Sequence, residues 1–148
     1  MSVYADTSFL LSYFGQDAKT LSAHALASGW TSPPRIAWTP FGELEFNNAA
    51  RALVFSGKLH EPVWRAMRLR VVEDLGNGVL SAQSLPDNIY AIAEAISAAH
   101  TVKRGTRTLD VLRVAAATAI GARTFLSFDL RQRLLAEHCS LRVLPVIA

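Results

Sequence analysis

The chain has 148 residues, 51% of them hydrophobic and 18% charged, with a formal net charge of +3 and a pI of about 9.4. A composition this apolar can bury a core, which excludes a disordered chain. Charges such as Glu94, Arg113, Arg123 and Asp129 also cut every apolar stretch short of the roughly 20 residues that a membrane span needs. Cys139 is the single cysteine, so an intrachain disulfide and a zinc site built on several thiolates are excluded as well. The N-terminus carries no basic segment followed by an apolar run, so the expectation is a cytoplasmic protein with no membrane association. The mean hydropathy of +0.22 is high for a soluble chain and is compatible with a surface covered by a partner.

In chain order, residues 2–5 predict a short strand ending at Asp6. Thr7 or Ser8 is the expected N-cap of a first helix, with Phe9, Leu10, Leu11, Tyr13 and Phe14 on its apolar face. A second helix is predicted from Asp17 to Ala27, broken at Ser28-Gly29, with Pro33-Pro34 as a rigid connector. Ile36-Ala37-Trp38 predicts another strand. Thr39-Pro40 then supplies an N-cap and a proline at the first helical position, for a helix that runs to Phe55 and stops at Gly57. Helical spacing places Leu44, Ala52 and Phe55 near one face of it. Residues 60–75 predict an amphipathic helix closed by Gly76-Asn77-Gly78, and Val79-Leu80 a short strand. Pro86-Asp87 opens an alanine-rich helix to His100, and Thr108 is the expected cap of the next, which carries Asp110 and ends at Gly121. Residues 123–128 predict a buried strand, 130–138 a helix and 141–147 a last strand. No repeat or linker divides the chain, so residues 1–148 are expected to form a single domain. Short apolar strands alternating with helices predict an α/β fold, a mostly parallel sheet flanked by helices on both faces.

The acids carry the functional argument. Asp6 and Asp129 each follow a short apolar strand and precede a helix, and ligands of open parallel sheets bind outside the carboxyl ends of the strands. Glu45 and Asp110 fall on helices able to line the same crevice. If those four acids converge, the rest of the surface carries about +7, a setting suited to a polyanion. Oxygen ligands without cysteine or paired histidine suit Mg²⁺ or Mn²⁺. Each acid also has an ordinary alternative: an aspartate at a strand-to-helix junction is most often an N-cap, Glu45 could be a solvated helix residue, and Asp110 could simply interact with the helix dipole. Glu43 competes with Glu45, since residues two apart on a helix point in different directions. His24, His60, His100 and His138 have no ligand spacing.

The order of the motifs resembles that of the PIN-domain family, and of VapC-type toxin ribonucleases in particular. Asp6-Thr7-Ser8-Phe9-Leu10 is similar to the family's opening motif, and Glu45-Phe46-Asn47-Asn48-Ala49 to its second. Arg107 to Ala117, with Asp110, is similar to the third, and Phe125-Leu126-Ser127-Phe128-Asp129 to the fourth. The resemblance implies a PIN-like three-layer fold and hydrolysis of an RNA phosphodiester, tRNA being a frequent substrate, dependent on Mg²⁺ or Mn²⁺. It implies Asp6, Glu45 and Asp110 as metal ligands, with Asp129 completing a second site or acting through water. Ser8, Ser127 and Asn48 are supporting residues. Arg113 stands where many relatives carry histidine, placed to pair with Asp110 or to meet a substrate phosphate. The implied partners are RNA, a VapB-type antitoxin entering the acidic cleft, and a second copy in a homodimer. Lys58, Arg65, Arg68, Arg70, Lys103 and Arg104 are candidate phosphate contacts. The alternatives are a non-catalytic PIN-like module that binds RNA or protein, and a phosphotransfer domain with Asp6 as nucleophile.

Overall fold

The computed structural model describes residues 2–32 and 35–147. Five strands, β1 (Ser2–Ala5), β2 (Arg35–Trp38), β3 (Leu80–Ala82), β4 (Thr124–Leu126) and β5 (Arg142–Leu144), form one parallel sheet in the order β3-β2-β1-β4-β5. Seven helices surround it among the described residues: α1 (Thr7–Phe14), α2 (Thr20–Ser28), α3 (Pro40–Phe55), α4 (Glu61–Gly76), α5 (Ile89–Arg104), α6 (Thr108–Ala119) and α7 (Leu130–His138). The three-layer α/β architecture expected from the alternation of elements is the one observed.

Side-chain alternation along the strands sorts the core into two layers. Val3, Ala5, Ile36, Trp38, Leu126 and Leu144 face one side, where they pack with Phe9, Phe14, Phe46, Trp64 and Met67 from α1, α3 and α4. Tyr4, Ala37, Phe125 and Val143 face the other, against Ile96, Val114 and Leu135 from α5, α6 and α7. The fully buried run Ala115-Ala116-Ala117 keeps α6 small where it meets its neighbours. No helix among the described residues is long and apolar enough to cross a membrane.

Several element ends differ from expectation. The cap of α1 is Asp6, not Thr7 or Ser8, because its carboxylate accepts the Phe9 amide. Helix α2 starts at Thr20, because the Asp17 carboxylate accepts the Lys19 amide and holds residues 17–19 in a turn. Helix α5 continues to Arg104, where Gly105 takes the left-handed conformation that ends it. Helix α6 is capped from Arg107, with Thr108 already helical. The strand expected over 123–128 is only Thr124–Leu126, and that over 141–147 only Arg142–Leu144. The expected Pro33-Pro34 connector lies outside the described residues.

Candidate active site

Chain order fixes where a site can form. From the central β1 the chain goes first to β2 and β3 on one side, then crosses to β4 and β5 on the other. The crevice at such a switch lies beyond the carboxyl ends of β1 and β4. Ala5 pairs in register with Leu126, so the next residues, Asp6 and Ser127, leave the sheet side by side.

Asp6 is buried. One carboxylate oxygen, Oδ1, accepts the Ser8 hydroxyl at 2.6 Å and the Phe9 amide at 3.0 Å. The other accepts the Ser127 hydroxyl at 2.5 Å. The two serines also hold the segment after β4: Ser8 accepts the Phe128 amide at 3.0 Å, and Ser127 accepts the Asp129 amide at 3.0 Å. Burial raises the pKa of Asp6, and the bonds from Ser127, Ser8 and Phe9 and the charge of Arg113 offset only part of that shift.

Glu45 and Asp110 meet through Arg113. The Arg113 guanidinium donates to both oxygens of Glu45, from Nε at 3.1 and 2.9 Å and from its terminal nitrogen at 2.8 Å. Its other terminal nitrogen donates to Asp110 at 3.0 Å. These side chains are mostly buried, at 20% exposure for Arg113, 11% for Glu45 and 13% for Asp110. The second Asp110 oxygen accepts the Arg107 amide at the start of α6, at 3.4 Å. Burial pulls the pKa of Arg113 down, but Glu45, Asp6 and Asp110 together raise it further, so the residue stays charged. Glu43, on another side of α3, is exposed and accepts the Trp38 indole N–H at 3.3 Å. Glu45 is therefore the α3 acid that faces Asp110.

Asp129 stands apart. It is exposed, and its carboxylate caps α7 by accepting the Gln132 amide at 3.0 Å. Asn48 is exposed on α3 and, among the described residues, joins none of these hydrogen bonds. The structure thus gathers Asp6, Ser8, Ser127, Glu45, Asp110 and Arg113 at one end of the sheet, with Asp129 at its edge.

Two residues near this group were not singled out in the sequence. Tyr4, two residues before Asp6 on the same strand face, has its pKa raised by burial and then by the charges of Glu45 and Asp6, while Arg113 and a hydrogen bond with Thr39 act the other way. Arg133 donates to the backbone oxygens of Ser127 and Pro145, at 2.7 Å each, and so anchors the turn after β4. Only the period of the strand could have pointed to Tyr4; a buried arginine on α7 leaves no such mark.

The donor set is all oxygen, which suits a hard divalent cation. Its arrangement with Arg113 docked does not: among the described residues no three acid, histidine or cysteine side chains form a group able to hold a metal ion. Both oxygens of Glu45 are engaged by the guanidinium.

The VapC20 toxin of Mycobacterium tuberculosis, which cleaves the sarcin–ricin loop, superposes with a TM-score of 0.61 over 88% of this chain and 92% of its own, at 18% identity. VapBC-1 of nontypeable Haemophilus influenzae gives 0.63 at 14% identity, with 97% of each chain covered. VapBC2 of Rickettsia felis, bound to a DNA fragment from its promoter, gives 0.62 at 13% identity, again with 97% of each covered. The chain has the VapC fold. No family model matches the sequence, and no curated protein matches it significantly. The acids sit where an open parallel sheet presents a ligand site, at the β1–β4 switch.

Proposed function

We propose that the chain is an RNA-cleaving toxin of a toxin–antitoxin pair, a Mg²⁺- or Mn²⁺-dependent endoribonuclease. The observation that carries this reading is the grouping of Asp6, Glu45 and Asp110 at the β1–β4 switch of a VapC fold. In this reading the three carboxylates hold the cation, and Asp129 contributes from the edge, through water or at a second site. Bound there, a divalent cation would supply Lewis-acid stabilisation of a phosphodiester. Ser8 and Ser127 keep the Asp6 carboxylate fixed. RNA is the substrate, a VapB-type antitoxin the protein partner, and a homodimer the working form. Two features support these partners: a basic chain, and exposed apolar residues on α3, Leu44 at 65% and Phe55 at 95%.

A second reading is favoured by one specific observation, the occupation of Glu45 and Asp110 by Arg113. It makes the chain a PIN-like module that binds RNA or protein without cleaving it. Cleavage of RNA by the purified chain with Mg²⁺ or Mn²⁺, and its loss on chelation, separates the two. Asp6→Asn and Asp110→Asn should each lower the cleavage rate by about 100-fold or more, the scale of removing transition-state charge stabilisation. Cleavage that persists in both variants overturns the proposed site. Expression should arrest growth, and the protein of the adjacent reading frame should relieve the arrest if the chain is a toxin.

A further inference from the structure

The acids assigned above already hold a cation that belongs to the chain. Arg113 spans Glu45 and Asp110 with four donor contacts of 2.8–3.1 Å, and Asp6 lies close enough for its charge to act on the guanidinium. A guanidinium offers only donors and keeps its proton in proteins. It therefore cannot share Glu45 with a metal by giving up its charge, and a divalent ion seated against the same oxygens would meet a fixed positive charge.

We propose that Arg113 is an intramolecular latch on the divalent-cation site. Its guanidinium and a Mg²⁺ or Mn²⁺ ion compete for Glu45 and Asp110, so the site loads only when Arg113 lets go. This inference rests on the reading of Asp6, Glu45 and Asp110 as metal ligands.

Charge and mobility both allow the exchange. One guanidinium leaves an excess of negative charge on three carboxylates, which is the condition that draws in a divalent ion. The helix beneath Arg113 is fixed, because Val111 and Val114 to Ala117 are buried. The side chain itself is one-fifth exposed, and its length lets the head group turn to solvent without moving α6. Once released, a guanidinium is geometrically matched to a phosphate diester, which it can grip through two parallel hydrogen bonds. A histidine at this position presents two donors at most, so it could not hold both oxygens of Glu45 and also bond to Asp110.

The test is metal binding without RNA. The full chain, stripped with chelator, is titrated with Mn²⁺ by calorimetry, alongside Arg113→Ala and Arg113→Gln, with circular dichroism confirming the fold. Removing the competing cation should tighten Mn²⁺ binding by about tenfold or more, a difference of about 1.4 kcal/mol. Equal or weaker binding in both folded variants overturns the latch while leaving the metal site standing. An absence of Mn²⁺ binding in the wild type and in both variants overturns the latch and the metal reading together. Should both variants misfold, the wild type decides: on titration with Mg²⁺ the Arg113 Nε–Hε resonance should move with the same midpoint as the calorimetric binding. A resonance that stays in place at saturating Mg²⁺ overturns the proposal.

Discussion

Asp6 does two things at once: it is the structural cap of α1 and a carboxylate held away from water. Capping needs only an acceptor for the Phe9 amide, which an asparagine oxygen also provides. The Ser127 contact can survive as well, since the asparagine amide can donate to the serine oxygen. What asparagine removes is the buried charge. The pKa of Asp6 is raised in the folded chain, so the native state binds its proton more tightly than the unfolded state does. Stability from this group therefore falls as pH rises from the ordinary aspartate range through the raised folded pKa, and the full cost is present above that pKa. In metal-free buffer, Asp6→Asn should raise Tm at neutral pH by roughly 2–4 °C, the response of a domain this size to about 1 kcal/mol. The gain should fade as pH falls through the raised folded pKa and be gone once pH is below the ordinary aspartate range. A variant with lower Tm at neutral pH would show that Asp6 is retained for the fold, and a gain unchanged in acid would show that the buried charge is not its cause. The residue scale is also where sequence reading reached its limit. Strand and helix positions, with the family resemblance, led to the expectation that Asp6, Glu45 and Asp110 lie at one end of the sheet, but the partner of Glu45 is 68 positions away, and a contact that distant has no local signature. Asp129 illustrates the opposite failure, for its equivalence to Asp6 along the chain does not give it an equivalent environment.

At the scale of elements, α3 depends on its first turn. Thr39 is buried, and its hydroxyl accepts the Gly42 amide at 3.0 Å while Pro40 occupies the first turn. A β-carbon on Gly42 would come within 3.2 Å of that hydroxyl, so the cap is closely packed. Thr39→Ala should cost about 1 kcal/mol, within the range of 0.5–2 for lost caps, and Thr39→Ser should recover most of it. Urea denaturation midpoints measure this directly; an alanine variant with an unchanged midpoint would deny the cap its role. This start was legible because Thr-Pro states two physical requirements in adjacent residues, an acceptor and a missing N–H. Gly57 and Gly76-Asn77-Gly78 were legible as stops for a similar reason, and Gly57 and Gly78 do adopt positive φ. Less was visible where hydrogen bonds cross between neighbouring turns. Asp17 was read into α2, yet its carboxylate accepts the Lys19 amide and the Ser12 hydroxyl and ends α1's approach before α2 begins. Helical spacing likewise grouped Leu44, Ala52 and Phe55 on one face of α3, and that face is exposed, while Phe46 and Ala50 face the core.

Across the whole molecule, the distribution of charge matters more than its total. Helix α5 ends with Lys103 and Arg104, and only Gly105-Thr106-Arg107 separates it from α6, whose first turn carries Asp110. That short link sets the exposed cations within a few residues of the turn that carries Asp110. Arg70, another candidate phosphate contact in the sequence, is committed elsewhere: it donates to the Phe14 and Tyr13 carbonyls at 3.2 and 3.5 Å and lies over both rings. Arg65 is paired with Glu61 along α4 at 3.0 Å, although both are exposed and the pair contributes little. The two kinds of arginine should therefore separate in an RNA-binding experiment. RNA affinity should fall as salt rises, because phosphate contacts release counterions, with a slope of about −0.7 per contact for a single strand. Lys103→Gln and Arg104→Gln should each flatten that slope by about one contact and leave Tm nearly unchanged. Arg70→Gln should do the reverse, lowering Tm through the loss of its carbonyl and aromatic contacts while the slope stays the same. A slope indifferent to Lys103 and Arg104 but reduced by Arg70→Gln would move the RNA path away from the α5–α6 turn, toward the face formed by α1 and α4.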